Sequence, residues 1–416
     1  MRLLNTIYSV RVACLSAMAF LLIASYAMAR PAIDSLFLEH HSTSELPVVW
    51  LMSAGLAAAV IGIYNHFNTR HSLLTLYGAA SCLIAGMFAL LILGYQNHVP
   101  GVVFLLYIWK DVYIVVLNEI FWSFSNTVFS IQSARGTYGI LLASGSAGGF
   151  IASLSVGYLA HAIGTASTLW FLCPILLLAC LISVVLAKNT DDIAPSVMMR
   201  KSAHFGQSLE VLWRSKYLVP MFALMGIVQV SITLVDYAFN VTLQSTYQNI
   251  DMRTDVIGKV HAVTDVIAFT MQLLAGPILR LLGVAGTLIG IPTIVVSVLL
   301  GYVLLPRLGM MIAAKIASKC FDYSIFRAAK EILYIPLSQL EKTQGKALID
   351  IFMYRLARGL SSILLISLIS TGIIQYVVHI TCLLLIVWLL LTYMIVKRYR
   401  KLVTIEEERE IYHPRS

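Results

Sequence analysis

The stretch YIWKDVYIVVLNEIFW, residues 107 to 122, places Lys110, Asp111 and Glu119 inside an otherwise apolar run. A soluble core has no use for such charges, and hydrocarbon penalises each by roughly 2.5–3.5 kcal/mol on insertion scales. The run and its exceptions make joint sense only if the segment crosses a membrane and the charges are partnered or hydrated there.

The remainder of the chain agrees. Of 416 residues, 59% are hydrophobic and 12% charged, against roughly 45–50% and 25% for soluble domains. Apolar runs close to the ~20 residues that span a ~30 Å hydrocarbon layer recur throughout. They predict an all-α multi-pass protein with about twelve transmembrane helices: 12–29, 47–64, 72–94, 101–130, 137–162, 166–187, 217–240, 256–282, 284–304, 308–329, 348–370 and 373–396. Six lie on each side of the longest polar interval, so the expected layout is a six-helix bundle (1–187), a basic linker (188–216), a second bundle (217–397) and a charged tail (398–416). Two such bundles flanking a basic loop is the major-facilitator-like arrangement.

Lysine and arginine set the expected orientation. With both termini cytoplasmic, Arg2, Arg70, Arg135, Lys188, Arg200, Lys201, Arg214, Lys216 and the tail run Lys397-Arg398-Tyr399-Arg400-Lys401 fall inside, leaving chiefly Arg30, Arg253, Lys259 and Arg307 outside. The net charge of +9 is therefore read as a topology signal in an inner (plasma) membrane, and no nucleic-acid partner is expected. Arg2, Arg11 and Ala27-Met28-Ala29 imitate a cleavable secretory leader. Removing that segment would leave an odd number of spans, so it is read as the first membrane helix.

Other chemistry finds little support. The six cysteines are scattered among the spans with no metal-ligand spacing, and neither H-E-x-x-H nor G-x-S-x-G occurs. The sequence thus predicts no enzyme, no cofactor and no metal, but a monomer acting on a small-molecule substrate within the bilayer. Gly145, Gly149, Ser153 and Gly157, four residues apart, predict close helix packing.

The membrane charges carry the functional expectation. Lys110 lies about nine residues, or ~13 Å, into its span, too deep for easy snorkelling. Asp111 and Glu119 return to within ~80° on the helix, whereas the adjacent Lys110 and Asp111 diverge by about 100°. Lining a polar cavity and pairing internally to hold helices together both fit this pattern. In the second half Asp236, His261 and Asp265 stand in apolar context, His261 and Asp265 at i, i+4, a spacing suited to a proton relay or to a solvated surface. Arg355 is a further candidate for substrate binding or coupling, and Lys330, Glu331, Lys346 and Asp350 are expected at a cytoplasmic gate or access path.

DYSIFRAAKEILYIPLSQLEKTQGKALIDI, residues 322 to 351, resembles the signature segment of the ATP/ADP translocase family of plastids and obligate intracellular bacteria. The match runs through Tyr323, Ser324, Phe326, Lys330, Glu331, Tyr334 to Leu337, Gly345 to Ala347, Ile349 and Asp350. Fainter likenesses lie in YAMARPAIDSLF (26–37), FWSFSN (121–126), Arg135 to Tyr138, SITLVD (231–236) and AVTDVIAFTMQLL (262–274). The resemblance implies a twelve-helix carrier that exchanges or imports nucleotides by alternating access. It also brings departures: family lysines align with Ile33 and Ile289, and a family glutamate with Lys110, while Asp236 keeps an acid. Those changes favour a smaller or less charged solute than ATP, and leave a permease for a non-nucleotide organic anion, amino acid or siderophore as the alternative.

Overall fold

The computed structural model describes the backbone of residues 2–67, 72–129, 131–188, 205–338, 340–341, 345–346 and 348–412, and every regular element among them is helical. Side chains at 2–9, 63–67, 131–136, 205–208, 323, 350–352, 354–355 and 402–412 lie outside the described set. The helices are α1 (Arg2–His40), α2 (Leu46–Phe67), α3 (Leu73–Gln96), α4 (Val102–Val128), α5 (Ile131–Ile163), α6 (Thr165–Thr168), α7 (Leu172–Lys188), α8 (Phe205–Arg214), α9 (Leu218–Thr246), α10 (Ile250–Leu304), α11 (Leu308–Tyr323), α12 (Ile325–Leu333), α13 (Tyr354–Ser370) and α14 (Val377–Tyr412).

Among the described residues, eight helical segments are long and apolar enough to cross a membrane. α10 supplies two crossings, because Gly283 (φ 66, ψ 172) breaks it in a conformation that a Cβ would strain. α4 carries three charges within its 27 residues, and α11 and α13 are shorter, at 16 and 17 residues. Adding the second crossing of α10 and these three restores the twelve spans of the sequence reading.

The chain forms two compact units: residues 1–198 with 244–265, and residues 199–243 with 266–416. In the first, α1 lies along α5, and a Cβ at Gly148 would collide with the backbone carbonyl of Phe20. Gly258 meets the Ser153 carbonyl in the same way, so the small residues of α5 serve backbone approach on both sides.

α1 continues beyond the boundary expected near residue 29. Ala29, Ala32, Ile33, Leu36 and Phe37 are all fully buried, a helical i, i+3, i+4 stripe that carries the helix through Pro31. Arg30 and Asp34 consequently belong to a membrane helix and not to an outer loop. In the second unit, α9 packs near α13 and the 345 turn: a Cβ on Gly226 would strike Met353, and one on Gly345 would strike Leu218.

Candidate functional site: a charged cluster in each unit

The first cluster joins α1 to α4. Lys110, only 2% exposed, places its Nζ 3.2 Å from Asp34 Oδ1 and 3.1 Å from Asp111 Oδ1. The ammonium also lies 3.5 Å from the centroid of the Tyr107 ring, whose hydroxyl accepts a hydrogen bond from Trp50 Nε1 at 2.7 Å. Arg30 Nε approaches Asp34 Oδ2 at 3.8 Å, one turn away on α1. Lys110 and Arg30 thus each meet a carboxylate, the condition under which charge survives at depth in a bilayer.

Lys110 and Asp111 meet although their helical directions diverge, because the long lysine side chain folds back across the turn. Glu119 is exposed and stands about 13 Å further along α4 than Lys110, so the structure does not bring it to this cluster.

The second cluster joins α9 to α11. Asp236 lies 2.8 Å from Lys319 Nζ and 3.6 Å from Lys315 Nζ, and Lys315 stands 3.8 Å over the Phe239 ring. Two turns away on α9, the Gln229 side-chain amide donates to both Asp322 oxygens at 3.3 and 3.4 Å. The spacings explain the contact: Lys315, Lys319 and Asp322 share one face of α11, while Gln229 and Asp236, seven apart, share one face of α9. Asp236 thus meets two lysines one turn apart on α11, and Asp322 brings a second carboxylate to the same face.

A third set of polar contacts holds residues 244–265 against α1, α5 and α6 of the first unit. Gln244 Nε2 donates to the carbonyls of Leu38 and His41 at 2.6 and 3.2 Å, and Arg253 Nη2 pairs with Glu39. Asp251 Oδ1 accepts from the Thr165 backbone N–H at 2.8 Å and its hydroxyl at 2.7 Å, while Asp255 pairs with Lys259 at 2.6 Å and His161 at 3.6 Å. His261 and Asp265 follow on the same helix. Asp265 turns its carboxylate toward α5, 3.3 Å from where a Cβ on Gly149 would lie.

In the signature segment, Lys346 Nζ pairs with Glu331 Oε2 at 2.5 Å and stands 5.2 Å from the Tyr334 ring centroid. Lys330 is half-buried on α12. The side chains of Asp350 and Arg355 lie outside the described residues, as do the linker residues Arg200 and Lys201.

A family model described as TLC ATP/ADP transporter matches residues 91–399, which take in α4, α9 and α11 but not α1. The chain belongs to this family. Curated relatives include an ADP,ATP carrier protein 1 of Chlamydia muridarum, 25% identical over 291 residues (60% of this chain, 55% of that protein). A plastidic ATP/ADP-transporter of Solanum tuberosum is 23% identical over 275 residues (57% and 43%), and an ADP,ATP carrier protein 3 of Rickettsia conorii is 22% identical over 305 residues (62% and 61%). The chain spans about half the length of the curated relatives it matches. Among solved structures, a mutant of the nucleoside transporter NupG superposes with a TM-score of 0.72 at 12% identity, over 92% of this chain and 99% of that one. A bacterial homologue of the human lysosomal transporter Spinster gives 0.65 at 12% identity, over 95% and 98%. These likenesses establish the fold expected from the six-plus-six spacing, a multi-pass helical transporter fold.

Asp34, Gln229, Lys315, Lys319 and Asp322 escaped the sequence reading. Asp34 was hidden by ending the first helix near residue 29. Lys315 and Lys319 gave a usable signal, two lysines one turn apart in an apolar run that also holds Asp322.

Proposed function

We propose that this protein is a secondary transporter that moves a nucleotide or a related small anionic metabolite by alternating access, with Lys315 and Lys319 engaging the anionic part of the solute. The observation that carries the assignment is that two lysine ammonium groups, one turn apart on α11, meet at Asp236 of α9. An anion leaving water for a low-dielectric site needs cations to meet it; α11 supplies two lysines one turn apart, whereas Lys110 is flanked by Asp34 and Asp111. Lys110 then holds α1 to α4. Asp111, Glu119, His261 and Asp265 remain candidates for shaping the solute path or carrying a coupling proton, with Arg355 a further cationic candidate.

The contacts of residues 244–265 with α1, α5 and α6 suit a rim that closes one side of the protein and must part for the other state of the cycle. Glu331 with Lys346, and Lys330 and Asp350 beside them in sequence, are assigned to a gate on the cytoplasmic side. In this reading the chain is a monomer of the inner membrane with both termini cytoplasmic, and its bundles are 1–187 and 217–397, joined by 188–216 and followed by the tail 398–416.

The resemblance aligns a family lysine with Ile33, which is apolar and fully buried and so brings no charge to a solute. This supports a ligand smaller or less charged than ATP.

A thermal-stability panel on the purified protein tests the proposal, since a ligand that binds the folded state raises its melting temperature. Nucleotides, nucleosides and small organic acids are compared at equal concentration. Stabilisation by phosphorylated nucleosides above their parent nucleosides is the expected result. Stabilisation only by amino acids or other non-phosphorylated solutes would overturn the nucleotide assignment.

A further inference from the structure

We infer that Asp322, held in place by Gln229, completes the solute site begun by Lys315 and Lys319 and receives the two adjacent hydroxyls of a ribose, which makes the substrate a ribonucleoside 5′-phosphate. The inference rests on the reading that these lysines bind the anionic part of the solute, and deepens it.

α9 and α11 meet along one seam with opposite chain directions. Asp236 meets Lys315 and Lys319, while Gln229, two turns earlier on α9, meets Asp322, one turn beyond Lys319 on α11. The seam is polarised. Its lysine end attracts an anion, whereas a carboxylate at the other end repels one and takes only hydrogen-bond donors. An elongated solute therefore has one orientation there, with its phosphate at the lysines and its neutral donor groups at Asp322.

Asp322 has acceptor capacity for such donors. Its hydrogen bonds among the described residues come from one side-chain nitrogen, Gln229 Nε2, shared between its two oxygens at 3.3 and 3.4 Å. A carboxylate offers about four acceptor positions, so one long, shared donor leaves it able to take two more. Its oxygens lie side by side, as do two hydroxyls on adjacent carbons. Both Gln229 and Asp322 are half-buried and not sealed in the core.

The spacing selects among solutes. Along α11, Asp322 stands about 4.5 Å beyond Lys319 and about 10 Å beyond Lys315. The hydroxyls of a ribose 5′-phosphate lie about five and six bonds of ~1.5 Å from phosphorus, which spans that interval. A dicarboxylate brings no such donors and sets its second acid against Asp322. The ammonium of an α-amino acid is too close to its own carboxylate to reach both ends.

Calorimetric titration of the purified full-length protein in detergent tests the assignment. The four common ribonucleoside 5′-monophosphates are titrated, and the tightest binder is compared with its 2′,3′-dideoxy counterpart. In the parent the dideoxy form should bind about 10- to 150-fold more weakly, the range for losing a hydrogen bond to a charged group. Asp322→Asn keeps an acceptor for Gln229 but places an amide N–H where a hydroxyl must donate. There the ribose form should weaken about tenfold or more and the dideoxy form less than about threefold, so that the two losses do not add. Lys319→Gln should weaken both forms alike and preserve their ratio. Should Asp322→Asn not fold, Gln229→Met, which frees the carboxylate from its positioning contact, is expected to narrow the ratio of the two forms by about threefold or more.

Equal affinity of the parent for ribose and dideoxy forms, or an equal loss of both in Asp322→Asn, would overturn the ribose assignment and leave the lysine reading standing. Binding of no ribonucleoside monophosphate, or undiminished binding by Lys319→Gln, would remove the lysine reading and this inference with it.

Discussion

Substituting Lys110 by methionine removes the one cation that stands between Asp34 and Asp111, 3.2 and 3.1 Å away. Two carboxylates then face each other deep in α1 and α4, and breaking a buried pair in this way costs about 3–5 kcal/mol. At about 2–4 °C per kcal/mol for a unit of this size, Lys110→Met should melt about 6–20 °C below the parent in the same detergent. The informative partner is the neutral triple variant Asp34→Asn/Lys110→Met/Asp111→Asn. Neutralising Lys110 together with both of its carboxylates leaves neither carboxylate buried without a cation, while the partly exposed Arg30 keeps access to water, so most of the lost stability should return. Since Lys110 is assigned to holding helices together, solute uptake by vesicles containing the triple variant should return with it. A Lys110→Met protein as stable as the parent would refute the pairing argument. A triple variant that is stable but inactive would show that this cluster, through Lys110 or Asp111, takes part in transport itself.

Gly148→Val should destabilise the first unit by about 1–3 kcal/mol, because its side chain must displace the Phe20 carbonyl where α1 crosses α5; thermal unfolding measures this, and an unchanged melting point would contradict the close approach. Arg253→Met should loosen residues 244–265 from α1 by leaving Glu39 without its partner, seen as faster amide hydrogen exchange over 244–265 than in the parent; identical exchange would count against the rim assignment. Glu341 lies outside the spans, and although burial opposes it, hydrogen bonds from Ser215, the Ser338 hydroxyl and the Ser338 backbone N–H hold its carboxyl below the usual range. A lowered folded value means that this contribution is complete above the ordinary glutamate pKa of 4.5 and is lost as pH falls through the folded value. Glu341→Gln should therefore lose less stability than the parent on acidification below pH ~4.5, and parallel acid-stability curves would contradict the hydrogen bonding.

The crossings were legible because hydrocarbon imposes a length and a composition on any helix within it. Lys110 and Asp111 were legible for the same reason, as charges where charge is costly. What the chain did not disclose was pairing. Asp34 lies in a helix that continues through Pro31, a residue that usually argues for an end, and only the buried stripe from Ala29 to Phe37 carries it onward. Lys315 and Lys319 find Asp236 through the packing of α11 on α9, a contact between segments some eighty residues apart that no local periodicity encodes. Glu119 shows the converse: a residue can return to the same helical face and still lie too far along the axis to join its neighbours.

The central claim is that Lys315 and Lys319 bind the anionic part of the solute. The most direct measurement is uptake of labelled nucleotide by proteoliposomes carrying Lys319→Gln, since Asp236 there keeps Lys315 at 3.6 Å while one of the two ammonium groups is removed. Loss of one charge-assisted hydrogen bond, about 1.5–3 kcal/mol, predicts a fall in apparent affinity of about 10- to 150-fold with the melting temperature nearly unchanged. Uptake by Lys319→Gln with the affinity of the parent would contradict it.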